Sequence, residues 1–454
     1  MGGGGIRWWS LVLAAALLAA CGAGGDGGQT TGDGTPSAGA PGALAAADST
    51  DSALDSLARA LVPALERRSG LEALRPPSLA RRTRAELEEF LESELAEQMP
   101  PEKAEALGAT YTRLGLLPDT LDLKGLLRRL YMEQVVGYYD PEADTLFVLE
   151  DVPPEEARTV LVHELVHALQ DQHMDLDSMT AALRERNDAS NAARAAIEGQ
   201  ATLVMAEWLV AQSTGSDIDL TRMPGIAEKF GDIAAQGSPE SMPAFSSAPR
   251  IVRETLTFPY VGGLGYVQAL WSGAEDRPAP FGELLPASTE QVLHPGRGPG
   301  ASPDRPTDVA FSEPPPDGWE EAYANSMGEL ETRIFLSGHL EEDSTARDAA
   351  AGWDGDMLRL LRSDGAEALL WVSVWDAPAE AEAFAAAARR AFELRYAAES
   401  GRRVSVERLD VGGRPAVSIV DRPSGVSREA LAPAVRVDLT GGEDRGEPAG
   451  ATRP

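Results

Sequence analysis

One cysteine and five histidines in 454 residues narrow the possible chemistry at the outset. A single thiol excludes an internal disulfide framework. Positive charge is also scarce. Lys and Arg total 40 against 72 Asp and Glu, a formal net charge of −32. Such acidity argues against nucleic acid and anionic lipid headgroups as partners, and favours solubility in an exported setting. The apolar stretch from Trp8 to Ala20 is only 13 residues long, short of the roughly 20 that a spanning helix needs. No internal repeat is evident.

Two of the five histidines carry the strongest signal. His163-Glu164-Leu165-Val166-His167 places two imidazoles four positions apart, on one face of a helix. Imidazoles so placed can share one Zn²⁺ at about 2.0–2.1 Å each. Glu164 then sits where its carboxylate can take a proton from a metal-activated water. The helix is expected to start near Pro154, with Asp151 as cap and Glu155-Glu156 in its first turn. Apolar residues surround the pair from Val160 to Leu169, so these polar groups are buried, and a metal would satisfy them together.

Catalytic zinc keeps three protein ligands and one open position. His173 lies six residues past His167 and points off the ligand face. Glu198 is the better third ligand, a lone carboxylate in a second buried helix over 192–210. Pairing with Arg194 is the alternative reading of Glu198, while Glu207 falls on the opposite face. Gly199 would let this helix approach the first one closely. Asp171 is a candidate partner for orienting an imidazole. His294 and Tyr260 are the candidate oxyanion donors, although Ser288-x-x-Gln291 also reads as a capping box. His339 reads as a helix-end residue.

With these residues in place the chain resembles the gluzincin class of zinc metallopeptidases. His-Glu-x-x-His is followed by a helical Glu 31 residues after the second His. The string His163 to His173, HELVHALQDQH, with Glu198-Gly199-Gln200-Ala201-Thr202, is similar to little-characterised bacterial members of that class. The core of the likeness covers residues 131–210, and weaker similarity extends through Phe258-Pro259-Tyr260 and residues 288–295. In many such members the position of Gln200 is acidic. The resemblance implies peptide-bond hydrolysis with one zinc per chain, His163, His167 and Glu198 as ligands, and Glu164 as general base. A polypeptide would be the substrate. The alternatives are a peptide- or envelope-binding lipoprotein with structural zinc, or a zinc hydrolase of a non-peptide amide.

Leu18-Ala19-Ala20-Cys21 resembles the bacterial lipobox, which implies removal of residues 1–20 as a signal peptide and lipidation of Cys21. The chain is then expected in the cell envelope, anchored to a bilayer, the outer membrane where there are two. Residues 21–48 read as a flexible linker rich in Gly, Ala, Ser, Thr and Pro. Residues 49–345 read as a mainly α, zincin-like α+β catalytic domain with a short edge sheet. Its helices are expected over 52–66, 83–97, 101–114 and 123–134, as the upper half of the catalytic unit, a removable propeptide being the alternative. Thr145–Leu149 is expected as an edge strand that could take a peptide by strand addition. Helices are expected over 250–271 and 319–335, with loop over 295–316. Residues 346–440 read as an accessory α+β domain of order β-β-α-β-β, with turns at Ser363-Asp364-Gly365 and Gly412-Gly413. Residues 441–454 read as a disordered tail.

Overall fold

The computed structural model describes residues 43–235, 242–299, 303–396 and 401–441. The signal peptide, Cys21 and most of the expected linker and tail lie outside the described residues.

The amino-terminal half is built from helices around a small sheet. Helix α1 (Ala43–Ser69) leads into strand β1 (Ser78–Arg82), α2 (Arg84–Gln98), α3 (Pro101–Arg113) and α4 (Leu123–Gln134). The start of α1 takes in the end of the expected linker. Local chemistry sets several of these starts. Thr83 and Glu86 form a capping box on α2, and Asp122 caps α4 by accepting from the Gly125 amide.

Strands β2 (Gly137–Asp140) and β3 (Thr145–Leu149) form a hairpin ahead of α5 (Pro154–His173). The sheet order is β1-β3-β2, with β1 parallel and β2 antiparallel to β3. The expected edge strand is therefore the central one. Its short apolar sequence reflects cover by strands on both sides, and the edge facing α5 belongs to β2. Asp151 does not cap α5. Pro153 holds the cap position, and Asp151 pairs with Arg84 at 2.9 Å.

Helix α6 (Leu176–Leu183) then leads to α7 (Asn187–Thr214), which stops at Gly215 in the left-handed conformation (φ 69°). Helices α8 (Ile226–Ala235), α9 (Pro243–Ser247), α10 (Arg250–Trp271) and α11 (Thr289–Leu293) complete this half. Close approach at Gly199 is made to α10 rather than α5. A Cβ on Gly199 would collide with the Gly263 backbone, and one on Gly263 would collide with that of Ala195.

The expected loop over 295–316 contains strand β4 (Thr307–Phe311), and the expected helix over 319–335 divides into β5 (Glu320–Asn325) and α12 (Gly328–Ser337). Strand β5 is six residues long and shows no strand-like alternation, so it merges with the following helix when read from sequence alone. After α13 (Asp343–Ala350) come β6 (Trp353–Ser363), β7 (Ala366–Trp375), α14 (Pro378–Arg395), β8 (Arg402–Val411) and β9 (Arg414–Pro423), in the expected β-β-α-β-β order. Asp364, Gly365, Gly412 and Gly413 all take positive φ at the two hairpin turns. The sheet reads β5-β6-β7-β9-β8, so it draws its edge strand from before residue 346. Strand β10 (Val437–Gly441) pairs antiparallel with β4. The architecture is α+β, and one apolar core runs from Ala58 in α1 to Ile419 in β9. Among the described residues no helix is long and apolar enough to cross a membrane.

Candidate metal centre

His163, Glu164 and His167 all lie within the buried middle of α5, and Glu198 within that of α7. The ligand atoms of His163, His167 and Glu198 come within 4.8 Å of one another. Glu198 Oε2 stands 3.1 Å from His163 Nε2 and 3.4 Å from His167 Nε2. Tetrahedral bonds of about 2.0–2.1 Å place neighbouring ligand atoms about 3.3 Å apart, so the spacing suits zinc. Hydrogen bonding leaves much unmet here. His163 Nδ1, His167 Nε2, Glu164 Oε1 and Glu198 Oε1 are all buried without a partner. Of these, His167 Nε2 and Glu198 Oε1 belong to the converging groups, and leaving them buried and unmet is costly unless a cation collects them.

A chain of amides fixes which nitrogen of His167 is free. Two backbone carbonyls, which can only accept, set its direction. Gln200 Nε2 donates to Ser69 O at 2.9 Å, and Gln170 Nε2 donates to Ile197 O at 2.9 Å and to Gln200 Oε1 at 2.8 Å. Gln170 Oε1 is thereby left facing His167 Nδ1 at 2.7 Å and can only accept. The proton resides on Nδ1, and the Nε2 lone pair points at Glu198.

The electrostatics agree with a ligand set. Burial first of all lowers the His163 pKa, keeping the ring neutral. For Glu198, burial opposes the charge. The two imidazoles that face it outweigh burial and hold the carboxyl down, at about 2. A carboxylate beside a neutral imidazole is the protonation state that a metal requires. Burial, then the nearby Glu198 charge, pushes Glu164 well above the usual carboxylate range, partly offset by the Tyr139 amide. That amide donates to Glu164 Oε2 at 2.8 Å, so β2 fixes one oxygen of Glu164 and leaves the other unbonded.

The remaining sequence candidates separate. Tyr260 is buried with its ring 6.2 Å from that of His163, beside the site. His294 is engaged elsewhere, its Nε2 2.9 Å from Glu329 Oε1. Of the capping box at Ser288 one half is present: Ser288 accepts from the Gln291 amide, but the Gln291 side chain turns to Ala287 N. Asp171 holds no imidazole. It accepts from the Tyr139 hydroxyl at 2.8 Å and from Leu176 N at 3.1 Å, because the last turn of α5 faces the β2–β3 hairpin. His173 and His339 each bond a backbone carbonyl, Glu72 O and Leu114 O, at 2.8 Å. Glu207 forms a bidentate pair with Arg277 at 2.6 and 2.7 Å. Glu198 makes no pair with Arg194.

Gln170 and the Tyr139 amide were not among the candidates. A polar residue three positions past His167 on a buried helix was a readable signal for the first. The second is a backbone group, which no residue type announces. Another acidic group, Glu290 with Asp304 and Asp376, encloses Arg297, which bonds Glu290 and lies 2.9 Å from Asp376 and 3.6 Å from Asp304. The guanidinium supplies the positive charge there.

A family model described as a domain of unknown function (DUF8575) matches residues 315–427, which span β5 to β9 and not the metal centre. Comparison with curated proteins and with solved structures gave no match.

Proposed function

We propose that this protein is a zinc-dependent metallopeptidase of the gluzincin type, with a zincin-like catalytic half. The observation that carries the reading is the convergence of His163, His167 and Glu198 beside a buried Glu164 with one unbonded oxygen. The donor set of two imidazoles and a carboxylate fits zinc. Bound there, zinc supplies a Lewis acid that polarises the scissile carbonyl.

The chain's own groups do the rest. Glu164 Oε1 takes the proton of the attacking water and returns it to the leaving amine nitrogen. The Tyr139 amide holds the other oxygen, which aims the free one. Gln170 holds His167 in the ligating tautomer. Tyr260, whose ring lies 6.2 Å from that of His163, would donate to the developing oxyanion. A structural zinc site has no use for an unbonded Glu164. The chain would act in the bacterial envelope, tethered to a bilayer through lipidated Cys21.

The test is Glu164→Gln. It should retain about one zinc per chain and lose cleavage of an unfolded protein by about 10²-fold or more. Full activity in that variant would refute the mechanism.

A further inference from the structure

Arg194 sits one turn before Glu198 on the same face of α7. It is half-buried. Its Nε is sealed from solvent without an acceptor, and among the described residues no carboxylate or carbonyl bonds its guanidinium. Three other shielded arginines of this acidic chain hold buried carboxylates. Arg277 holds Glu207, Arg402 holds Asp421, and Arg414 holds Asp354. Glu198 could reach Arg194 by its spacing, yet it is turned to the two histidines. Across from Arg194, the Tyr131 phenol on α4 feels its charge. Just past it, Gln134 on the same helix is buried with both ends of its amide unbonded. A cation held one turn from the ligand carboxylate, with its fork unfilled, is complementary to a planar anion.

We propose that Arg194 is a substrate-binding residue that captures a carboxylate of the peptide, from an acidic side chain or from the chain terminus. The identification of the anion as part of a peptide rests on the peptidase reading. The unfilled guanidinium one turn from Glu198 on α7 does not.

The test is direct binding to the zinc-free protein, so that loss of hydrolysis and loss of capture are read apart. Three probes separate the sources. N-acetyl-glutamate amide carries only a side-chain carboxylate, N-acetyl-glutamine only a terminal one, and N-acetyl-glutamine amide neither. At least one anionic probe should bind about tenfold or more tighter than the neutral one. Arg194→Gln should erase that difference, and Arg194→Lys should keep part of it. Equal binding of all three probes, or a preference that survives Arg194→Gln, overturns the proposal. Because the side chain has no internal partner, Arg194→Gln should melt within about 2 °C of wild type. A larger fall would assign Arg194 a structural contact instead and overturn the proposal as well.

Discussion

Replacing Gly199 by Ala tests whether the helix crossing sets the metal geometry. The added methyl would fall more than about 1 Å inside ordinary contact with the Gly263 backbone, and backbone cannot swing aside as a flexible side chain does. Helix α7 must therefore move off α10 by a comparable distance. Glu198 is the neighbouring residue, and metal sites tolerate ligand shifts of only about 0.2 Å. Overpacking of this kind costs about 1–3 kcal/mol in stability. The loss of one well-placed ligand should weaken zinc binding by about 10²-fold, read by competition with a chromophoric chelator. Gly108→Ala is the control. Its methyl would meet nothing within 4 Å, in the middle of α3, so it should leave zinc affinity alone and stabilise by about 0.4–1 kcal/mol. If Gly199→Ala binds zinc as tightly as wild type, the crossing does not position Glu198 and the reasoning fails.

Gln170→Leu removes the acceptor that faces His167 Nδ1, and zinc affinity should drop about 10–100-fold with little change in fold, measurable by the same competition. The junction beneath α12 gives a pH signature. Burial, above all, raises Asp188 and Glu331 to about 7 and Glu290 to about 9. These exceed the values of an unfolded carboxyl, so the folded state holds protons that the unfolded chain has released. The resulting stability is complete below about pH 4 and is lost progressively until pH has passed 7 for the first two and 9 for Glu290. Thermal melts should show Tm falling by about 5 °C or more between pH 5 and 9, and a flat profile would contradict these shifts. Cys21→Ser should release the protein from the membrane fraction as a longer, unprocessed chain; unchanged size and fractionation would reject the lipid anchor.

The parts of this molecule governed by local chemistry were legible. The spacing of His163 and His167, the Thr83 start of α2, and the turns at Gly365 and Gly413 each state their geometry within a few residues. Glu198 was legible because an unpaired carboxylate among alanines has few explanations. What depended on distant contacts was not. Residues 145–149 have the composition of any buried strand, and only the pairing with β1 makes them central. The partner of β4 lies far along the chain in β10, so no window around Thr307 could reveal a strand. Gly199 was correctly read as a point of close approach, but the helix that approaches it is named by tertiary packing alone. Asp171 looked like a partner for an imidazole because its position on α5 was known while its neighbour Tyr139 was not.

The amide chain that begins at His167 ends on the last residue of α1, whose carbonyl has no successor in its own helix to serve. Clipping away the segment up to Ser69, as an activating cleavage would, strands Gln200 without an acceptor and frees the imidazole to change tautomer. On the proposed reading the leading helix would belong to the working parts, and a shortened version that begins after Ser69 should hold metal less well.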